Sequence, residues 1–388
     1  MCTYFESNNK KDCNGCGTCA LKCPKKAITM LEDSEGFLYP IIDEKKCINC
    51  GLCKKVCSNV VTEKENKSET YIAINQNEEE KNSSSSGGMF YPIAKNIINK
   101  GGVIFGVAFD DNLVARHEYA TNLEDAKKFQ GSKYVRSDLG NSYLKVEEFL
   151  KEGKYVLFTG TPCQCYGLKK YLGKNYEKLV TCEIVCHANP SPKVLKYYKE
   201  NLELTNNKKV KSIHFRSKEN GWRNQTPIIE YLDGEKKEEN TYFEAFVKEM
   251  INRPSCYSCK FCTTKKYSDF SIADFWGIEK TNPEIKDDDT GITLLNENTE
   301  NGRKLFNEIK KDLFIKKVNT EKAFMHNHHC NVPVHKNRDK FFEGISNSTI
   351  NETNIIKYMK KYTKRPLYRR VLGRIKRIIK KILGKEQN

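Results

Sequence analysis

The chain has 388 residues, 38% of them hydrophobic, and a formal net charge of +17 at neutral pH. That length accommodates two or three domains with a sizeable core, while its longest apolar runs, such as GGVIFGVAF at 101–109, fall far short of the roughly 20 residues of a membrane span. Thirteen Lys/Arg and no acid lie between Lys357 and Lys385, so most of the excess charge sits in one tail and the body is electrostatically ordinary. No base-reading module is visible, and no nucleic-acid partner is expected. The start, MCTYFESNNKK, has no apolar signal core, so a cytoplasmic location is expected. There, seventeen cysteines are metal ligands or free thiols rather than disulfides.

The first sixty residues read as a ferredoxin-type domain. Cys13, Cys16, Cys19 and Cys23 form CNGCGTCALKCP, and Cys47, Cys50, Cys53 and Cys57 form CINCGLCKKVCS. Both are C-x2-C-x2-C-x3-C, the bacterial two-cluster run in which the fourth cysteine serves the other cluster. Three ligands within seven residues wrap one cubane, and the fourth lies on a following helical turn, pointed away. Cys13, Cys16 and Cys19 then belong with Cys57, and Cys47, Cys50 and Cys53 with Cys23. A zinc site would want two C-x-x-C knuckles around one ion instead. Residues 61–82 are a polar linker whose TYIAI run is a candidate first strand.

From residue 83 to 345 strands and helices alternate. GGVIFGVAF, LVARHEY, YVLFTG, KLVTCEIV, KSIHF, FSIADFW and GITLLN read as strands. MFYPIAKNIIN, SYLKVEEFLKEG, TPCQCYGLKKYL and SPKVLKYYKENL read as helices. The expected class is α+β: the ferredoxin-type domain, a mixed α/β domain, and a basic amphipathic tail over 346–388. No GxGxxG follows a strand and no P-loop occurs. Thr161-Pro162 is an N-cap and N1 pair that puts Cys163 in a first helical turn. Cys186 ends a strand, just before His187 and the Ser-Pro helix start at 191. Cys256, Cys259 and Cys262 share RPSCYSCKFC.

The ordered series SSSGGMF, QGSKYVRS, GTPCQCYGLKKYL, VCHANPSPKV, FRSKENGW, RPSCYSCKF and SDFSIADFWGI resembles the coenzyme F-420 hydrogenase/dehydrogenase beta-subunit family, in its bacterial form with a fused ferredoxin domain. The similarity covers nearly all of 1–345. Departures are small: Ala188, Ala273 and Cys165. The resemblance implies FAD and one further 4Fe–4S cluster. It places the third cluster's ligands at Cys163, Cys186, Cys256 and Cys259, with Cys262 an extra thiol or an alternative to Cys259. Cys165 and Cys182 are expected to pack in the core. The resemblance places FAD near Ser86, Gly87 and Gly88 and near Gln130, Gly131, Ser132 and Lys133. Ser86-Gly87-Gly88 precedes a helix, the arrangement that offers amides to a phosphate, although composition alone would make it a linker. Lys133 is a candidate partner for pyrophosphate or for the charge of reduced flavin. Asp274 either hydrogen-bonds the cofactor or caps a strand. His187 is a candidate donor beside a cluster ligand. His326, His328 and His329 read as a solvated or cofactor-flanking segment. No residue stands out as acid or base.

In the tail, Leu367, Val371, Ile375, Ile378 and Ile382 recur at helical spacing among Lys and Arg, which suits an anionic membrane surface. The functional expectation is an oxidoreductase taking electrons from ferredoxin or another redox partner and delivering them to a small-molecule hydride acceptor. The alternative is a non-catalytic electron relay.

Overall fold

The computed structural model describes residues 3–61, 68–327 and 329–364. The N-terminal module carries one hairpin, β1 (Ile28–Glu32) and β2 (Leu38–Ile42). The body is a mixed eight-stranded sheet, drawn from β3 (Glu69–Asn75), β4 (Val103–Phe109), β5 (Ala115–Ala120), β6 (Val156–Gly160) and β7 (Leu179–Ile184). A separate three-stranded antiparallel sheet is built from β8 (Val210–His214), β9 (Ile228–Tyr231) and β10 (Lys236–Glu238). The large sheet is completed by β11 (Phe270–Asp274), β12 (Thr293–Glu297) and β13 (Leu313–Val318). Its order is β13-β3-β12-β11-β7-β6-β4-β5. The inner four, β4, β6, β7 and β11, run parallel, and the flanking strands antiparallel.

The central strands are apolar on both faces because helices cover both. Ile104, Leu157 and Val180 pack with helices Phe90–Asn99 and Glu300–Ile309. Val103, Phe105, Val156, Phe158 and Leu179 pack with helices Ser142–Lys151 and Pro162–Leu172. The TYIAI run is not merely linker. As β3 it is an interior strand, paired with β12 and β13.

The ferredoxin-type module is packed onto the body. Phe37 and Tyr39 of its hairpin share a core with helices Pro192–Asn206, Thr241–Val247, Arg338–Ser346 and Ile355–Thr363. Gly36 has φ +87° and lies so close that a Cβ there would stand 2.4 Å from the Lys193 Cβ. Ser191 donates to the Glu35 carbonyl at 2.5 Å, and Arg338 holds the Glu35 carboxylate with both nitrogens, at 2.5 and 3.1 Å. Ile355 and Met359 are fully buried, so the tail starts inside the body. The amphipathic stretch from Leu367 to Ile382 lies outside the described residues. No helix among the described residues is long and apolar enough to cross a membrane.

Candidate metal and cofactor site

The N-terminal sulfurs form two groups of unlike exposure. Cys13 and Cys16 are buried, and the charge interactions felt by Cys19 come from Cys16, Cys13 and Cys57, the set the crossing pattern predicts. Burial pushes the Cys57 thiol up to about 12, with Cys16 and Cys13 adding to it. In the other group Cys53 feels Cys47 and Cys50, and Cys50 is exposed. The Cys23 sulfur accepts from the Ala27 amide at 3.3 Å. Glycines at +65° (Gly15), +73° (Gly17) and +72° (Gly51) make the tight loops.

The third group comes from three parts of the fold. Cys163, Cys186, Cys256 and Cys259 line one small cavity of about 30 Å3 together with Asn14, His187, Asn189 and Cys262. Cys163 is positioned by its helix start: Thr161 is the N-cap, Pro162 follows, and Gln164 completes a capping box. The Thr161 hydroxyl lies 3.3 Å from the Cys163 sulfur. Cys186 follows β7, and Cys256 and Cys259 flank the turn Pro254–Ser258. Burial raises the Cys186 thiol, and Cys256, Cys163 and Cys259 raise it further. Cys259 likewise feels Cys163 and Cys256. The Cys262 sulfur also contacts the Cys330 carbonyl at 3.0 Å and feels the Cys330 thiol. Cys262 lines the same cavity and acts on Cys259, so Cys259 and Cys262 both stand beside the other three. Among the described residues no three His, Cys, Asp or Glu side chains close to the spacing of a single ion. In a cubane each thiolate takes a different iron, which sets ligands farther apart than one ion does.

Two arginines join this group to the N-terminal module. Arg136 donates to the Cys163 sulfur at 3.5 Å and to the Gly15 carbonyl at 2.9 Å. Arg253 donates to the carbonyls of Cys13 (2.9 Å) and Leu38 (3.0 Å), with its guanidinium 4.2 Å from the Tyr39 ring centre. The partners of both are main-chain oxygens, ring faces and sulfur. Gly167, on the Cys163 helix, lets the Cys16 loop approach: a Cβ would meet the Cys16 Cβ at 3.0 Å. Thr18 donates to the Gly167 carbonyl at 3.1 Å. Sequence reasoning missed both arginines. His187 pairs with Glu249 and meets the Phe246 ring edge-on at 4.8 Å.

The larger cavity, about 270 Å3, opens at the C-terminal ends of the parallel strands, where Val107, Thr159, Ile184 and Ile272 line it. Ligands of open α/β sheets bind at this edge. Ser86, Gly88, Gln130, Gly131, Ser132, Lys133 and Asp274 all contribute to its wall. Gly87 does not. It packs between β3 and β12, where a Cβ would stand 2.8 Å from the Ala73 carbonyl and 2.7 Å from the Thr293 amide. Gly88 and Met89 separate the serines from helix Phe90–Asn99, whose N-cap has no side-chain hydrogen bond.

Lys133 donates to the carbonyls of Lys128 (2.8 Å) and Gln130 (2.6 Å), and burial lowers its pKa to about 7. Lys218 donates to the carbonyls of Lys81 (2.7 Å) and Ser86 (2.9 Å), and burial lowers it to about 8. Asp274 is held by Arg216 at 2.5 Å and by the Trp222 indole N–H at 3.1 Å, so it anchors an ion pair at the end of β11. The Arg216 Nη2 is buried without a hydrogen-bond partner. Of these cations Lys133 lines the cavity itself, where a buried amine suits a ligand with anionic oxygens. The two cavities share one wall. Asn189 lines both, its amide donating to the Cys256 sulfur at 3.3 Å. Thr161 and Gln164 face the larger cavity and Cys163 the smaller. Cys165 is fully buried and Cys182 nearly so, though Cys182 also touches the larger cavity.

These features define an iron–sulfur electron-transfer protein of the oxidoreductase class. Residues 12–61 match the family described as a 4Fe-4S dicluster domain, and residues 153–323 match the family described as the C terminus of the coenzyme F420 hydrogenase/dehydrogenase beta subunit. Residues 153–323 thus carry a domain of the coenzyme F420 hydrogenase/dehydrogenase beta-subunit type, with a 4Fe-4S dicluster domain on its N-terminal side. Among solved structures it is similar to a chain of the F420-reducing [NiFe] hydrogenase complex from Methanosarcina barkeri, with 17% identity and a TM-score of 0.45. That match covers 76% of this chain and 91% of that one. The comparison with curated proteins gives no match.

Proposed function

We propose that the chain is an iron–sulfur flavoprotein oxidoreductase that takes electrons from a low-potential donor such as ferredoxin and delivers them to a hydride acceptor, a deazaflavin or another small molecule. One observation carries this reading. The turn from Thr161 to Gln164 stands between a cavity lined by four grouped cysteines and a larger one lined by the residues expected to meet flavin, while Arg136 ties the same turn to the N-terminal loop.

The eight N-terminal cysteines would hold two 4Fe–4S clusters, and Cys163, Cys186, Cys256 and Cys259 a third. Ser86, Gly88, Gln130, Gly131, Ser132 and Lys133 would hold FAD. Bound there, the clusters supply single-electron steps and the flavin couples them to hydride chemistry. The chain's own part is positional and electrostatic. Arg136 places a cation against Cys163, Lys133 offers the cavity an amine whose pKa burial lowers to about 7, and Asp274 on the cavity wall is held by Arg216. The basic tail would hold the protein at an anionic membrane face, and a role in making surface polysaccharide suits that position by analogy.

Anaerobic purification tests the reading. About twelve irons per chain with matching acid-labile sulfide, together with extractable FAD, are expected. About eight irons without flavin would favour a plain relay, and zinc in place of iron would overturn both.

A further inference from the structure

We propose that the face around Cys50 is the docking site of a small acidic one-electron carrier of the ferredoxin type. The inference deepens the proposed function and rests on Cys23, Cys47, Cys50 and Cys53 holding a cluster.

Cys50 is exposed, whereas Cys13, Cys16 and Cys163 are buried. An exposed sulfur ligand shortens the path to an outside redox centre, and a buried one cannot. Beside it Ile48 is 57% exposed, an apolar centre on an otherwise polar loop. Two segments meet here. The Cys47 amide donates to the Asp43 carbonyl at 3.0 Å, the Asp43 amide to the Ala27 carbonyl at 2.7 Å, and the Lys26 amide to the Cys23 carbonyl at 3.0 Å. Over 22–26 and 43–57 the sequence carries seven lysines against two carboxylates, Asp43 and Glu44. Lys25, Lys26, Lys45, Lys46, Lys54 and Lys55 are all exposed, while Asp43 already faces Lys46 at 3.2 Å and Glu6 faces Lys54 at 3.7 Å.

A net positive surface beside an apolar centre steers a partner of the opposite sign and leaves the centre to be desolvated on contact. The partner is redox-active, because these exposed lysines lie in the same two segments as the exposed thiol. A membrane or a nucleic acid seated on the same lysines would cover that thiol to no purpose.

The test uses the full chain, purified anaerobically, with a reduced acidic two-cluster ferredoxin as probe. Iron content and reduction by dithionite are measured before any carrier is added, so a missing cluster, which would overturn the underlying reading, is recognised separately. Binding is then measured by calorimetry and cluster reduction by stopped flow, at low and high salt. Lys45→Glu/Lys46→Glu and Lys54→Glu/Lys55→Glu are expected to slow reduction on the order of 10-fold or more and to flatten its salt dependence. Lys310→Glu/Lys311→Glu should change neither. Equal rates in all variants, or salt-independent reduction of the unaltered chain, would sink the proposal. So would lysine variants that lose binding to anionic phospholipid vesicles while keeping wild-type binding to the ferredoxin.

Discussion

Cys47, Cys50 and Cys53 lie within seven residues on one loop with its middle thiol exposed. Cys163, Cys186, Cys256 and Cys259 come instead from a helix start, a strand end and a turn, and converge only when the sheet is assembled. The outer three need little beyond their own short segment, where Gly51 turns at φ +72°. The inner group needs β6, β7, the capping box at Thr161 and the turn after Arg253 in place at once. A locally built site is free to stand at the surface and meet a partner. A site built from distant parts is enclosed by the elements that supply it, and so can share a wall with a second cavity.

The largest expected effect separates the two groups outright. Cys163→Ser should remove about four irons and leave the N-terminal signals in the electron paramagnetic resonance spectrum. Cys165→Ser, two residues along on the same helix, should leave the iron count intact. Loss of the N-terminal signals in the Cys163 variant would mean that the groups do not assemble independently.

Gly15→Ala strikes the joint between them. The new Cβ would stand 2.9 Å from the Arg253 Cζ on a backbone with φ +65°, at a cost of about 1–3 kcal/mol. A lowered anaerobic melting temperature checks it, and unchanged stability would show that the arginine yields easily.

The cavity supplies a pH test. Burial lowers the Lys133 amine to about 7, so a contribution from it to binding an anionic flavin would be present at lower pH and lost as pH rises through that value. FAD affinity should fall roughly tenfold from about pH 6 to about pH 8, and Lys133→Gln should abolish this slope. Equilibrium dialysis reads it, and a slope surviving in the variant would reassign the titration to another group.

The smallest effect concerns potential. Arg136→Met removes a cation 3.5 Å from the Cys163 sulfur and should lower the inner cluster's midpoint by about 60 mV, the equivalent of a tenfold change for one electron. Arg136→Lys should restore part of it, with the outer group unmoved. A redox titration followed by electron paramagnetic resonance distinguishes this from a merely structural role.

How much of this was legible in the sequence follows the same division. The outer cysteines announce themselves, since local spacing dictates which loop wraps a cubane. The helix start at Thr161-Pro162 was equally plain, because capping is a local event. The inner set came only through the motif series, since nothing in one cysteine at a strand end names its companions. Whether Cys259 or Cys262 belongs with them rests on the direction of one turn, which three-residue spacing leaves open. Arg136 and Arg253 stood within the QGSKYVRS and RPSCYSCKF motifs with no role assigned, because a cation that bonds a carbonyl contributed by a distant loop has no sequence pattern of its own. The interior place of β3 was hidden for the same reason: a short apolar run in a polar stretch does not reveal that β12 and β13 will enclose it.

The arginines that grip the N-terminal loop also limit how the two halves could part. Arg136 and Arg253 direct N–H groups at the carbonyls of Gly15, Cys13 and Leu38. A body deprived of residues 3–61 would lose these three acceptors and bare both guanidinium groups to water, with Arg136 keeping the Cys163 sulfur. The ferredoxin-type segment is thus no detachable adaptor. Separating the halves onto two genes would require the pieces to find each other again, as a permanent complex, through the same carbonyls.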